Sequence, residues 1–142
     1  MRSKMTGFTL IEVMIVVVIL GILASIVVPK IMGRPDEARI VKVETDLRAI
    51  GSALELYRLD NFSYPSTDQG LEAMVTQPGL EPIPANWKAG GYLERLPTDP
   101  WGNAYQYIRP GLHGAFDLYS FGADGRPSGS GMDADIGNWA ME

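Results

Sequence analysis

The sequence predicts an α+β fold in which one long N-terminal helix, membrane-embedded in its first half and amphipathic in its second, packs on a small antiparallel sheet. Three observations point there. The run from Val13 to Val28 is apolar throughout and carries no charge. Ile40, Val43, Leu47, Ile50, Leu54 and Tyr57 then recur at alternating steps of three and four, which places them on one helical stripe. Two short strand-like segments, Ala104 to Ile108 and Phe116 to Gly122, flank Pro110-Gly111-Leu112-His113-Gly114, a sequence suited to a hairpin connection.

In chain order, Arg2 and Lys4 precede the apolar run on a short N-terminal side, so charge bias keeps that end in the cytoplasm and sends the bulk of the chain outward. Residues Phe8 to Val28 span about 30 Å as a helix, close to the hydrocarbon thickness of a bilayer. In a bacterium this means a single pass through the inner membrane, with the C-terminal domain in the periplasm. Gly21 and Pro29 lower helix propensity, and the stretch between them is expected to be a weak point. Gly33-Arg34-Pro35 makes a second interruption, with Pro35 suited to a first helical turn and Asp36 and Glu37 to the positive end of a helix dipole. The amphipathic half follows to about Leu59, its polar face carrying Arg39, Lys42, Glu44, Asp46, Arg48, Glu55 and Arg58. Its apolar stripe is a core face, because a small sheet needs a helix to cover it.

Asp60-Asn61-Phe62-Ser63-Tyr64-Pro65 ends the helix by turn chemistry, and Ser66 or Thr67 is expected to cap a short helix from Leu71 to Val75. Residues Gln77 to Gly91 read as loop around Trp87, and Leu96-Pro97-Thr98-Asp99-Pro100-Trp101-Gly102-Asn103 as a turn with an aromatic anchor. Trp87, Tyr92, Trp101, Tyr105 and Tyr107 read as core aromatics of a small domain rather than a sugar-stacking platform. After the two strands, a last extended piece is expected from Ile136 to Trp139.

At 142 residues the chain has room for one modest domain beyond its anchor. Its formal charge is -5, with 12 basic against 17 acidic residues, and no basic run follows the apolar segment, which argues against nucleic acid as a partner. The absence of cysteine excludes a disulfide, a thiol nucleophile and a cysteine-based zinc site. Enzymatic readings fail. His113 is the only histidine and reads as an exposed loop residue, no Gly-x-Ser-x-Gly elbow accompanies it, and Gly122-Ala123-Asp124-Gly125 lacks the lysine and helix start of a phosphate loop. Between Phe121 and Ile136, Asp124, Asp133 and Asp135 stand among glycines and serines. Such residues suit calcium, which takes six to eight oxygens, but they are also default turn formers, and by themselves they favour an ordinary solvated turn. The spacing is not that of an EF-hand.

Two features at the N-terminus remain. A carboxylate, Glu12, stands inside the membrane helix, where a charge costs on the order of 3 kcal/mol at the bilayer centre. The small-residue cleavage candidate, Gly7, lies before the apolar run instead of after it, so cutting there leaves the helix on the product. Gly7-Phe8-Thr9-Leu10-Ile11-Glu12 resembles the class III signal of type IV pilins and pseudopilins. The resemblance implies a leader of residues 1–7 removed by a prepilin peptidase between Gly7 and Phe8, methylation of Phe8, and Glu12 as the acid that guides assembly. A transmembrane and assembly helix over 8–30 and a periplasmic domain over 31–142 follow.

Tyr57-Arg58-Leu59-Asp60-Asn61, Tyr64-Pro65-Ser66-Thr67, Leu96 to Gly102 and Ile136-Gly137-Asn138-Trp139 extend the likeness along the chain. Together they resemble the major pseudopilins of the type II secretion system. That family implies a structural subunit of the periplasmic pseudopilus that drives export of folded proteins across the outer membrane. Its implied partners are further copies of the chain, minor pseudopilins and an inner-membrane assembly platform. It also implies a C-terminal calcium-binding loop with structural calcium held by Asp124, Asp133 and Asp135 and by backbone carbonyls near Phe121, Arg126 and Ser130. The competing readings are a type IV pilus subunit, a minor pseudopilin and a membrane-anchored calcium-dependent binding module for polysaccharide.

Overall fold

A computed structural model of the chain describes residues 7–32 and 34–141. By its internal contacts the chain divides into two units, Met1–Ala38 and Arg39–Glu142. The leader positions Arg2 and Lys4, and the interruption expected at Gly33, lie outside the described residues.

Helix α1 runs from Leu10 to Met32 and helix α2 from Arg34 to Asn61. Within α1, Leu10–Val27 is long and apolar enough to cross a membrane, and none of that window is buried in the protein. The stretch from Gly21 to Pro29 is helical throughout. Pro29 removes one backbone hydrogen bond, and the ladder continues past it; the Ser25 hydroxyl donates to the Ile22 carbonyl at 2.7 Å.

The expected stripe of α2 is the core of the second unit. Val43, Leu47, Ile50, Leu54 and Tyr57 are almost completely buried, Ile40 is half-buried at the edge, and Ala53 joins them. Against this face pack Leu71, Ala73, Met74, Tyr105, Tyr107 and Leu118. Trp87, Tyr92 and Trp101 are half-buried around that centre, so the aromatics line the core as expected. Two carbonyls at the C-terminus of α2 are satisfied by asparagine side chains: Asn61 Nδ2 donates to Tyr57 O and Asn86 Nδ2 to Asp60 O, each at 3.1 Å.

The short helix after α2 is a single 3-10 turn, Leu71–Met74, preceded by Gly70 and without a side-chain cap. Ser66 caps the turn before it instead. Its N–H donates to Gln69 Oε1 at 2.9 Å while Gln69 N–H donates to the Ser66 hydroxyl at 3.2 Å, a reciprocal arrangement that Ser-x-x-Gln spacing permits. Thr67 is drawn away to Arg109, donating to its carbonyl and accepting from its N–H at 2.9 Å.

Three antiparallel strands form one sheet in the order β1-β2-β3: β1 is Gln106–Ile108, β2 Asp117–Ser120 and β3 Ile136–Gly137. Tyr107 pairs with Leu118, and Tyr119 with Gly137. The strands are shorter than expected for identifiable reasons. Ala104 bridges back to Thr98 in the preceding turn, and Gly122 adopts φ 78, which turns the chain out of β2. Trp139 is not extended but lies in a 3-10 turn, Asn138–Ala140, because Asn138 is turned toward β2.

The turn expected at Asp99 is built by a buried carboxylate. Asp99 is 3% exposed; its Oδ1 accepts from the N–H groups of Trp101 at 3.0 Å and Asn103 at 2.8 Å, and its Oδ2 from the Ser120 hydroxyl at 2.7 Å. One side chain thus shapes the Asp-Pro-Trp-Gly turn and ties it to β2. Asp99→Ala, leaving one buried and two half-buried donors without their acceptor, is expected to cost about 2–4 kcal/mol, and Leu54→Ala about 2–5 kcal/mol. Denaturant melts of each variant measure both; an Asp99→Ala loss under about 0.5 kcal/mol would show that the turn holds without it.

Candidate functional site

Two groups of residues carry the chemistry singled out in the sequence, one in each unit. At the N-terminus, Gly7 and Phe8 are exposed and precede the first turn of α1. Thr9 occupies the position before the helix and Glu12 the third position within it. Their side chains and backbones face each other: Thr9 N–H donates to Glu12 Oε2 and Glu12 N–H to Thr9 Oγ1, both at 3.4 Å. Thr-x-x-Glu is a capping box, so within one chain the Glu12 carboxylate is turned toward the unpaired N–H groups and positive pole of its own helix. The bonds are long, which leaves the carboxylate weakly held. The capping box could have been read from the sequence.

The second group is the loop from Phe121 to Asp135, whose two ends leave β2 and enter β3. It folds back on itself through backbone contacts. Ala123 N–H donates to Met132 O at 2.8 Å, and Gly122 lies so near the returning strand that a Cβ there would stand 2.7 Å from Met132 O and 2.8 Å from Ala134 O. A single 3-10 turn, Gly131–Asp133, completes the return, with Asp133 N–H donating to Ser130 O at 3.2 Å.

Asp124, Asp133 and Asp135 are all exposed on this loop. Asp124 Oδ1 accepts from Arg126 N–H at 3.0 Å, and Asp135 Oδ2 from Ser128 N–H at 3.1 Å, so two of the three carboxylates brace turns. Among the described residues no three acidic or histidine side chains converge as a metal-binding group. The loop therefore brings the three aspartates and the backbone of Phe121, Arg126 and Ser130 into one closed segment without drawing the carboxylates together. Its donors are all hard oxygens, and its close backbone return suits the flexible oxygen cage of calcium.

The sequence reading missed a third cluster, next to that loop. Asp117, at the start of β2, is 3% exposed and collects the N–H of Leu112 at 2.9 Å, the N–H of His113 at 3.1 Å and the His113 ring Nδ1–H at 2.9 Å. His113 is exposed, as expected of a hairpin-loop residue, but it is not idle: its ring stacks on Trp139 at 4.1 Å between centroids with 15° between planes. Burial of Asp117 disfavours its charge, yet the His113 ring together with the two N–H groups outweighs that penalty and lowers its pKa below the usual carboxylate value. Asn138 Oδ1 accepts from Leu118 N–H at 3.1 Å, reading the edge of β2 as a further strand residue would. No local pattern marks this cluster, because its members lie on three separate segments.

Comparison with known proteins places this architecture. The profile of the type II secretion system protein G family matches residues 30–139, and that of the prokaryotic N-terminal methylation motif matches residues 2–28. The type II secretion system core protein G of Pseudomonas aeruginosa is 61% identical over 138 residues, covering 97% of each chain. That of Vibrio cholerae is 57% identical over 139 residues, covering 98% of this chain and 94% of its own. The crystal structure of the major pseudopilin from the type 2 secretion system of enterohaemorrhagic Escherichia coli superposes with a TM-score of 0.71 at 49% identity, covering 80% of this chain and 97% of that one.

The Asp117 cluster makes stability depend on acid. Because its folded pKa is depressed, the stabilisation is complete above the ordinary carboxylate value and is lost as pH falls through the lower folded value. Glu55 acts in the same window: the Tyr64 hydroxyl chiefly, with Arg58, lowers its pKa against a burial penalty. Unfolding midpoints measured from about pH 5 down to about pH 2 are expected to fall more steeply for the wild type than for Asp117→Asn. Parallel profiles would mean that Asp117 is no better satisfied folded than unfolded.

Proposed function

The chain belongs to the type II secretion system protein G family, and from that premise we propose how it is processed, anchored and assembled. It is a structural subunit of the pseudopilus, the fibre that serves type II secretion. A prepilin peptidase cuts between Gly7 and Phe8, and Phe8 becomes the methylated N-terminus. The helix over 8–30 holds the subunit in the bacterial inner membrane with residues 31–142 in the periplasm. An assembly platform in that membrane then draws subunits, minor pseudopilins among them, into a fibre that moves folded proteins through the outer membrane. No step of this requires catalysis by the chain.

The observation that carries the reading is Glu12, the acid in an otherwise uncharged apolar span, held by two bonds at 3.4 Å. An intramembrane carboxylate is costly and calls for a partner. Cleavage at Gly7 supplies one, because it creates a cationic amine on Phe8, and N-methylation leaves that amine basic. Within a fibre the amine of one subunit meets Glu12 of the next, where apolar surroundings strengthen the pair and make either charge alone expensive. The pair sets each subunit one step along from the last. Glu12→Ala is expected to give protein that begins at methylated Phe8 by mass and N-terminal sequencing and stays in the membrane, but forms no fibres and supports no secretion. Normal fibres from that variant reject the role given to Glu12.

The loop from Phe121 to Asp135 has the donors for structural calcium: carboxylates of Asp124, Asp133 and Asp135 and carbonyls near Phe121, Arg126 and Ser130. Bound calcium supplies the positive charge that lets these acids share one small volume. The chain contributes a return path that joins residues 122–123 to 132–134. Binding to the folded state alone stabilises by about 2.7 kcal/mol when free calcium exceeds the dissociation constant a hundredfold. Calcium is expected to raise the melting midpoint of the full-length chain in detergent, magnesium to do so poorly because it demands tight octahedral geometry, and Asp124→Ala to abolish the effect. Identical melts in calcium and in chelator remove the metal from this account.

A further inference from the structure

We propose that His113 is a positioning residue for the C-terminal loop: anchored by Asp117 and stacked on Trp139, it fixes the register of β3 and thereby the places from which Asp133 and Asp135 reach toward a bound ion. The inference rests on reading the loop as a calcium site.

β3 contributes only two pairs to the sheet, Tyr119 with Gly137 and Ser120 with Ile136. Two pairs are too few to hold a strand in register, and this strand is entered directly from the loop whose last aspartate, Asp135, precedes Ile136. A slip by one side-chain repeat, two residues, would carry Asp135 about 6.5 Å along β2, far outside the reach of a single ion whose ligands sit within about 2.6 Å. Something beyond the ladder must pin the segment.

Trp139 is the pin. Its indole folds back over Gly137 so closely that a Cβ on residue 137 would lie 2.3 Å from two ring carbons, which is why glycine occupies that position. His113 stacks on the same indole, and Tyr119 of β2 contacts it at 5.7 Å between centroids. Asn138 adds its bond to Leu118 N–H. The plane of His113 is set by Asp117, which accepts from both its ring and its N–H and is buried at the head of β2. The sequence of contacts therefore runs from β2 through Asp117 and His113 to Trp139, and the loop ends at Asp135, four residues before Trp139. Calcium chemistry does not enter it; the imidazole acts as a flat, hydrogen-bonded plate.

The test is calorimetric titration of calcium into the full-length chain in detergent, with far-UV circular dichroism to establish that each variant is folded. His113→Ala removes the ring together with its bond to Asp117 and is expected to weaken calcium binding on the order of tenfold, as removal of outer supporting contacts does at other metal sites. His113→Phe keeps a flat ring over Trp139 and the backbone N–H bond to Asp117, losing only the ring's own bond, and is expected to retain most of the affinity, a rescue that general destabilisation would not give. Trp139→Leu is expected to weaken binding as His113→Ala does. Wild-type affinity in His113→Ala overturns the proposal, and so does His113→Phe binding as weakly as His113→Ala. If wild type gives no calcium heat, the calcium reading itself fails and the role assigned to His113 with it. Calcium heat lost in Asp124→Ala but unchanged in His113→Ala leaves the metal in place and removes only the clasp.

Discussion

The buried face of α2, from Val43 to Tyr57, is the constraint on which the globular unit depends. Nine residues in three strands cannot stand alone in water, and two of those strands pair over only two positions. The sheet persists because Tyr107 and Leu118 project onto the helix and bury area there together with Tyr105. The many turns between α2 and β1 serve the same face. Met74 is fully buried, its carbonyl receives the N–H groups of Tyr92 and Leu93, and Trp87 Nε1 donates to the carbonyl of Ala73. Loops that would otherwise wander are stitched to the rim of one helix.

Without cysteine, the stitching falls to acids and amides. Asp99 and Asp117 are almost wholly buried, yet each is surrounded by donors, and both bind turns to β2. Asp46 on α2 plays a related part at the surface, accepting from the Tyr105 hydroxyl at 2.7 Å while Lys42 reaches both Asp46 and Thr98 O. Burial first, then the hydrogen bond to Asp46, pushes the Tyr105 hydroxyl far above its ordinary pKa, so it remains a donor at any physiological pH. Gln69 does the same work with a neutral side chain, its Nε2 donating to the carbonyls of Leu80 and Pro82 at 2.8 Å. Each of these groups is satisfied inside the chain. Glu12 differs in being only weakly satisfied, and the aspartates of the C-terminal loop in being exposed.

That contrast matches what a fibre subunit needs. The globular unit must keep its shape whatever it packs against, and its polar contacts are closed internally. The residues left with unused capacity lie in the segments where assembly and metal binding are proposed. A long apolar helix with one acid near its start is stable in a bilayer only at a cost, and the proposed pairing of Glu12 with a neighbouring copy would relieve that cost. Membership of the protein G family and the physical reading of Glu12 thus rest on separate grounds.

The sequence by itself determined the helices, the core stripe and the turn positions, because these follow from periodicity and backbone preferences acting over a few residues. Val43, Leu47, Ile50, Leu54 and Tyr57 are buried as their spacing requires, and the N-terminal motif was readable residue by residue. The capping boxes Thr9-x-x-Glu12 and Ser66-x-x-Gln69 are equally legible, and the second places Ser66 on the turn before Leu71 and not on the helix it precedes. Tertiary structure alone decided the rest. Ala104 leaves β1 for Thr98, Trp139 curls over Gly137, and His113, Asp117 and Trp139 come together across 26 residues of chain. Aspartate and histidine in a loop look the same to any local rule whether they face water or each other, and only the path of the backbone between them settles which.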